Sequence, residues 1–185
     1  MIKEIVPVTD PRLRQKSQPV TKIDKKIVNL LRDLEETLIA QEDPEGVGIA
    51  APQIGEFIRV FLIRHQGKIL TFINPEIVGI SSKTPASAKA AHTRTAARQA
   101  KLKTAKKKEY IMEGCLSLPH YYGPVERAQE VKVKYQMPKL DAEGWKLIAV
   151  TKSFTGFPAQ IIQHEIDHLE GKIFVDRLLE QNRQL

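Results

Sequence analysis

Apolar residues recur at helical spacing once the chain has passed its first 20 residues, which are interrupted by three prolines. The recurring positions are Ile27, Leu30, Leu31, Leu34, Leu38 and Ile39. This pattern predicts an N-terminal amphipathic α-helix of about 18 residues. Thr21 and Asp24 are candidate N-caps, and the Asp43-Pro44 pair should stop the helix.

Shorter apolar runs predict strands over residues 59–64, 69–73, 76–80, 131–135 and 145–150. Asn74-Pro75 should break the chain between the second and third of these strands. A second helix is predicted over residues 158–170, ending near Gly171. The pattern therefore favours an α+β fold, with small mixed or antiparallel sheets around that second helix. The length of 185 residues fits one domain, 1–185.

Residues 81–108 differ in kind from the rest of the chain. They hold nine basic residues, eight alanines and no acidic residue, whereas the remainder has 20 basic and 22 acidic residues. The formal net charge of +7 therefore comes from this one segment. With Leu102 as its one large aliphatic residue, the segment is expected to be a mobile insertion, and a basic helix is the alternative.

The chain has one cysteine, Cys115, so it cannot form an intrachain disulfide. A reducing compartment is the natural expectation. No apolar run reaches the roughly 20 residues that span a bilayer, and the start of the chain does not resemble a signal peptide. We therefore expect a cytoplasmic protein that does not enter a membrane.

The strongest chemical signal is the pair His164 and His168, with Glu165 between them. Side chains four residues apart share one face of a helix, so both imidazoles can bind one metal ion. Glu165 can then reach the water beside that ion as a general base. Two unrelated histidines on a surface helix are the alternative, but the neighbouring isoleucines place this helix in a core.

A catalytic metal site usually has three protein ligands and one open position. The two downstream patterns of zinc endopeptidases are missing: Phe174 stands where one class has histidine, and Glu170 and Glu180 are too close for the other. The third ligand should therefore lie upstream. The candidates are Cys115, His65, His92 and His120, and Cys115 is favoured because a thiolate binds borderline metals well. A lone cysteine can also be a small core residue.

Residues 46–53 form an unusual run of small residues that ends in Gln53. We expect a loop here. A backbone with so little side-chain bulk suits the close passage of another extended chain. A peptide substrate could pair with it edge to edge.

Three segments resemble the signature motifs of peptide deformylases. They are Gly46-Val47-Gly48-Ile49-Ala50-Ala51-Pro52-Gln53, Glu113-Gly114-Cys115-Leu116-Ser117 and Gln163-His164-Glu165-Ile166-Asp167-His168. The start of the chain, over residues 7–14, is also similar to the start of the family. The resemblance covers almost the whole chain except residues 81–108.

The resemblance implies metal-dependent removal of the N-formyl group from the formylmethionine of nascent polypeptides, with release of formate. Cys115, His164 and His168 would bind the metal, with water in the fourth position. The family's natural metal is ferrous iron, and zinc or nickel can substitute. Glu165 would be the general base and then the general acid.

The resemblance also assigns the oxyanion hole and the substrate contacts. Gln53 and the backbone N–H of Leu116 would stabilise the negative charge on the formyl oxygen. The residues contacting the substrate would be Gly48 and Gly114 along its backbone, and Val47, Ile111, Phe157 and Ile161 around its methionine side chain. Glu113 and Arg127 are a candidate pair that braces the cysteine segment.

Family members often end in a basic helix that docks on the ribosome, whereas this chain stops soon after Leu179. Residues 81–108 are a candidate alternative contact to ribosomal RNA, because clustered lysine and arginine neutralise phosphates. A tolerated loop without a partner is the competing interpretation. We expect the protein to be a monomer.

Two other functions compete with this one. A general metallo-aminopeptidase or endopeptidase is compatible with the helical motif, but the upstream cysteine argues against it. A non-enzymatic RNA-binding protein would use residues 81–108, but that segment lacks interleaved aromatic residues for base stacking.

Overall fold

A five-stranded antiparallel sheet with helices against it organises the part of the chain that the computed structural model describes, residues 1–80 and 112–182. The strands are β1 (Gly48–Ala50), β2 (Val60–His65), β3 (Lys68–Ile80), β4 (Met112–Cys115), β5 (Leu118–Pro124), β6 (Glu130–Asp141) and β7 (Gly144–Thr155). The helices are α1 (Lys25–Ile39), α2 (Phe157–Leu169) and α3 (Phe174–Asn182), with 3-10 turns at Pro11–Arg14 and Ala51–Ile54.

The sheet has the order β1-β2-β3-β6-β7, and β4 and β5 form a separate hairpin. Each ladder between these strands is antiparallel. The predicted α+β fold with small antiparallel sheets around the second predicted helix is thus confirmed. Within the described residues, no helix is long and apolar enough to cross a membrane.

Of the two candidate N-caps, Asp24 and not Thr21 caps helix α1, which therefore begins at Lys25. The Asp24 side chain accepts a hydrogen bond from the backbone N–H of Ile27 at 3.0 Å, which satisfies one of the helix's unpaired donors. The apolar face of α1 packs against the sheet through Leu34 and Leu38, both fully buried.

Strand β2 separates two halves of the core because successive side chains of a strand point to opposite faces. Val60 and Leu62 pack in the cluster that contains α1. Phe61 and Ile63 pack in the cluster that contains α2. The sheet is therefore covered by α1 on one face and by α2 on the other, and α2 is held in the centre of the molecule.

The predicted break at Asn74-Pro75 was wrong, because β3 runs through it from Lys68 to Ile80. The backbone of Asn74 has φ 50°, and the ladder to β6 shifts register here. The Asn74 side-chain amide stabilises this irregular part of the strand. Its Oδ1 atom accepts a hydrogen bond from the backbone N–H of Val20, and its Nδ2 atom donates to the carbonyl of Val20 and to Gln136 Oε1 at 2.7 Å.

Other elements extend beyond the prediction. Strands β6 and β7 are each 12 residues long, roughly twice the predicted runs. Residues 46–53 were predicted to be a loop, but they contain β1 and most of a 3-10 turn. The hairpin of β4 and β5 and the short helix α3 were not predicted at all.

Candidate metal centre and active site

Cys115, His164 and His168 converge on one point at the centre of the molecule. Cys115 Sγ lies 3.2 Å from His168 Nε2, which lies 3.2 Å from His164 Nε2. All three ligand atoms are within 4.8 Å of one another, and all three residues are buried. The two histidines come from one face of α2 and the cysteine from the end of β4.

These distances fit a single tetrahedral metal ion. Two imidazole nitrogens bound at about 2.0–2.1 Å to one ion lie roughly 3.3 Å apart in that geometry. One sulfur and two imidazoles are also a donor set that divalent transition metals prefer. Burial opposes ionisation of the thiol, but the His168 and His164 imidazoles hold the pKa of Cys115 well below its ordinary value. The ligand form of the cysteine, the thiolate, is therefore favoured.

A buried carboxylate orients one of the two imidazoles from behind. Glu113 Oε2 lies 3.3 Å from His164 Nδ1, so the opposite nitrogen, Nε2, points to the centre. Arg127 holds Glu113 with two bonds of 2.9 Å and reaches Asp167 at 2.6 Å. This is the predicted pairing of Glu113 with Arg127, and such outer contacts fix the orientation of metal ligands.

Sequence reasoning missed the second half of this network. Asp167, on α2, accepts hydrogen bonds from Arg127 and also from Arg177, which lies on α3. Arg127 and Asp167 are both at most 9% exposed at their side chains. The network thus ties β4, α2 and α3 together around the centre. The sequence did show a charged residue, Asp167, on a helix predicted to lie in the core, but it did not indicate which basic residues would pair with Asp167.

Glu165 lies beside the three ligand atoms without being one of them. It is 2% exposed, and its Oε2 atom is buried with no hydrogen-bond partner among the residues that the structure describes. Burial, offset in part by His164 and His168, raises the pKa of Glu165 to about 7. A buried carboxylate oxygen without a partner, next to a metal site, is suited to exchange a proton with a small molecule there.

Gln53 reaches the same centre from the 3-10 turn that follows β1. Its Oε1 atom accepts a bond from the backbone N–H of Ala50 at 2.9 Å, which fixes the amide. Its Nε2 atom then points to Cys115 Sγ at 3.5 Å and to Ser117 Oγ at 3.4 Å. Gln53 is 1% exposed, so this donor is held rigidly beside the ligands.

A cavity of about 210 Å³ opens onto the centre. Its lining includes every predicted substrate and oxyanion residue that the structure describes, and these are Val47, Gly48, Gln53, Gly114, Leu116, Phe157 and Ile161. The remaining predicted residue, Ile111, lies outside the described residues, as does the segment 81–108. Sequence reasoning missed Gln160 and Tyr122, which also line the cavity, and it named His120, another lining residue, only as a candidate metal ligand.

At two glycines of the cavity wall, Gly48 and Gly114, neighbouring side chains occupy the space that a Cβ atom would need. A Cβ atom at Gly48 would lie 2.3 Å from Glu165 Oε1, and one at Gly114 would lie 2.6 Å from the Tyr122 ring. A larger residue at either position would therefore force Glu165 or Tyr122 to move from its place in the cavity wall.

Two other candidates for a third ligand, His65 and His120, are described by the structure and are not part of the cluster. His65 ends β2, and His120 is exposed at the cavity mouth with φ 63°. His92 lies outside the described residues. Among the described residues, Cys115 is the one that joins the histidine pair.

The fold and this centre define a class of metal-dependent hydrolase, in which one cysteine and two histidines on a helix surround an ion next to a buried carboxylate. Residues 2–184 match the family described as polypeptide deformylase, and the chain belongs to that family. It is therefore a metal-dependent enzyme that removes the N-formyl group from nascent polypeptides.

Curated peptide deformylases are similar in sequence to this chain over nearly its whole length. The chain is 36% identical to the peptide deformylase of Pseudothermotoga lettingae over 183 residues, covering 99% of this chain and 86% of that protein. It is 37% identical to the peptide deformylase of Nitrosococcus oceani over 186 residues, covering 99% and 90%.

Solved structures show the same fold. The crystal structure of peptide deformylase from Thermotoga maritima superposes with a TM-score of 0.72 at 32% identity, covering 96% of this chain and 97% of that one. A class I type b peptide deformylase from Acinetobacter baumannii, solved with Met-Ala-Ser bound, gives a TM-score of 0.70 at 30% identity, covering 96% and 98%.

Proposed function

We propose that Cys115, His164 and His168 hold one divalent metal ion and that Glu165 transfers the proton in deformylation. The observation that carries this proposal is the convergence of the three ligand atoms within 4.8 Å, with the unpartnered Glu165 carboxylate beside them. When bound, the cation would supply Lewis-acid activation of the formyl group and of the attacking water. Ferrous iron is the expected metal, with zinc or nickel as substitutes.

Glu165 takes a proton from the water that attacks the formyl carbon. Its raised pKa, about 7, lets the same carboxyl group give that proton to the amine nitrogen as the carbon–nitrogen bond breaks. The products are formate and a peptide with a free amino terminus. Its burial keeps Glu165 from exchanging that proton freely with bulk water.

Gln53 and the backbone N–H of Leu116 stabilise the negative charge that develops on the formyl oxygen. Support for this role comes from the fixed amide of Gln53, whose Nε2 faces the centre, and from the place of Leu116 next to Cys115 in the cavity wall. A donor placed in advance needs no reorganisation during the reaction, and losing one typically costs about 2.7–4 kcal/mol of barrier.

The substrate's backbone passes along Gly48 and Gly114, and its methionine side chain enters the apolar part of the cavity. Val47, Phe157 and Ile161 line that part. The bound Met-Ala-Ser of the Acinetobacter baumannii enzyme is a product of this kind. Formylated nascent peptides are thus the substrates we assign to the cavity.

The direct test is formate release from a formyl-Met-Ala-Ser peptide. Glu165→Gln should lose turnover while retaining its metal, because Glu165 is not a ligand. Cys115→Ser should lose both, because it removes a ligand. Full turnover by the Glu165 variant would refute the assignment of the proton-transfer role, and an unformylated peptide serves as the substrate control.

For residues 81–108 we propose a contact with ribosomal RNA, made by a monomeric, cytoplasmic enzyme of one domain. Nine basic residues without an acidic one would neutralise phosphates and give salt-dependent binding. Co-sedimentation with ribosomes at low salt should weaken when 81–108 is deleted, while deformylation of a short peptide persists. Unchanged co-sedimentation would refute the contact.

A further inference from the structure

Residues 5–8, which we call the strap, join the two segments that carry the proposed oxyanion donors. The backbone N–H of Val6 donates to the carbonyl of Gln53 at 2.8 Å, and the backbone N–H of Val8 donates to the carbonyl of Ser117 at 2.9 Å. Gln53 belongs to the 3-10 turn after β1, whereas Ser117 belongs to the turn between β4 and β5. The strap therefore connects two turns whose bonded residues are 64 positions apart in the chain.

The sequence of the strap suits this arrangement because its middle residue, Pro7, has no N–H to lose. In an extended chain, N–H groups two residues apart point to the same side, so Val6 and Val8 can donate together. Proline is tolerated where the missing N–H would face away from the partner strand. Pro7 is exposed, while Val6 and Val8 are half-buried. The strap thus keeps both of its inward donors.

The strap is anchored to the core on both sides. Before it, the backbone N–H of Lys3 donates to Thr37 Oγ1 of α1 at 2.9 Å. After it, the Asp10 side chain caps the 3-10 turn that follows. Within the strap, Ile5 packs against the same apolar cluster as Leu116 does. The positions of the two bonded turns are therefore fixed relative to the core as well as to each other.

The residues that the strap fixes are the donors themselves or their direct neighbours. Gln53 supplies its side-chain Nε2 atom, and the N–H of Leu116 directly precedes Ser117. Gln53 Nε2 also lies 3.4 Å from Ser117 Oγ, and Ser117 is only 3% exposed. Two donors can stabilise one oxygen only if each lies about 2.7–3.1 Å from it. The separation of the two donors must therefore be held closely.

We propose that the strap sets the separation of the two oxyanion donors, with Val6 and Val8 as its positioning residues. Its two hydrogen bonds fix the backbones from which Gln53 Nε2 and the N–H of Leu116 project. The strap acts without touching the substrate, since the described residues that line the cavity include none of its own. This inference rests on the proposed oxyanion role of the two donors.

Val8→Pro tests the proposal because it removes one of the two bonds with little other change. Val8 is the second residue of a turn in which the Asp10 N–H donates to the Pro7 carbonyl at 2.9 Å, and proline is favoured at this position of the common turns. With formyl-Met-Ala-Ser, kcat should fall by about ten- to a hundredfold, the upper end being the typical cost of a misplacement of about 1 Å. KM should not change, because the donors act on charge that develops in the transition state. Val8→Ala, which keeps the N–H, should have a much smaller effect.

Glu4→Pro is the matched control. It puts a proline in the same stretch at an exposed residue whose backbone N–H makes no hydrogen bond within the part of the chain that the structure describes. This variant should keep the wild-type kcat. Metal content and denaturant unfolding are measured on each preparation, and loss of metal from Val8→Pro would overturn the proposal, because the strap would then support the metal ligands instead.

A double-mutant cycle separates positioning from a general loosening of the fold. In Gln53→Ala one donor remains, so there is no separation left to hold, and Val8→Pro should lower kcat far less there than in the wild-type enzyme. If the two factors simply multiply, or if Val8→Pro alone keeps the wild-type kcat, the strap does not position the donors. A wild-type kcat in Gln53→Ala would instead refute the oxyanion role on which this inference depends.

Discussion

Adding one methyl group at Gly48 tests whether Glu165 must lie where the structure places it. An ideal Cβ atom at this position would lie 2.3 Å from Glu165 Oε1 and 2.8 Å from Ile161 Cγ2, whereas ordinary contacts begin at 3.4 Å. The carboxylate of Glu165 must therefore move by about 1 Å in Gly48→Ala, and a misplacement of that size costs about 10²-fold in rate.

The same overlap should lower the free energy of unfolding, but not by enough to unfold the protein. None of the crowded atoms is backbone, but Ile161 Cγ2 is bonded directly to the Cβ atom of a buried helix residue, so α2 must shift slightly as well. Overpacking of this kind typically costs about 1–3 kcal/mol. We therefore expect kcat for formate release from a formyl-Met peptide to fall by about two orders of magnitude, while metal content is retained. Turnover, metal analysis and denaturant unfolding on one preparation measure the three quantities.

Gly79→Ala is the matched control, because among the described residues a Cβ atom there would meet only Lys132 Cβ, at an ordinary 3.4 Å. This variant should keep its activity. If Gly48→Ala also kept the wild-type kcat, the position of Glu165 would not limit the reaction, and its role as the proton carrier would be refuted.

Three further predictions concern the charges around the centre and the metal itself. Arg127→Leu removes the guanidinium shared by the buried carboxylates of Glu113 and Asp167, which keep only His164 and Arg177 as partners, and it should lower the free energy of unfolding by up to about 3–5 kcal/mol. Arg12→Ala, at an exposed ion pair, should leave the free energy of unfolding near the wild-type value. Equal stability of the two variants in denaturant unfolding would contradict the network. Because a general base acts as the carboxylate, kcat/KM should rise with pH as Glu165 loses its proton. Burial raises the pKa of Glu165 to about 7 and a bound cation favours ionisation, so the midpoint of this rise should lie at or below pH 7. A value of kcat/KM that does not fall below that midpoint would exclude Glu165 as the base. Removing the metal with a chelator should abolish formate release and readdition should restore it; activity that survives verified metal removal would contradict a metal-dependent mechanism.

The elements predicted most accurately from sequence are those with long, regular periodicity. The repeated leucines of α1 identified the helix to within a few residues at its start, and α2 lies within one residue of its predicted bounds. Helix α1 buries one face, so its periodic pattern reports its packing directly, whereas α2 is apolar on most sides because it lies in the core.

The errors have local causes that a periodicity cannot show. Strand β1 has only three residues, all of them buried, so it shows no alternation of buried and exposed positions. Strand β3 continues through Asn74-Pro75 because the Asn74 amide bonds two other segments of the chain. The hairpin of β4 and β5 and helix α3 are short, and they are stabilised by contacts with distant residues such as Asp167.

The metal-binding part of the site was easier to predict than its surroundings. The spacing of His164 and His168 on one helix determines their common direction, and the motif around Cys115 supplied the third ligand. Arg177 gave no comparable signal, because its contact with Asp167 depends on how α3 packs against α2. Pairing Glu113 with Arg127 succeeded because the two residues lie in one short stretch of chain.

The proposed metal centre requires one sulfur and two imidazole nitrogens to bind a single ion. X-ray absorption spectroscopy of the zinc-loaded protein tests this directly. We expect one sulfur neighbour at about 2.3 Å and nitrogen neighbours at about 2.0–2.1 Å, with the sulfur lost in Cys115→Ser. A zinc spectrum without sulfur in the unaltered protein, or one that Cys115→Ser leaves unchanged, would contradict the proposed centre.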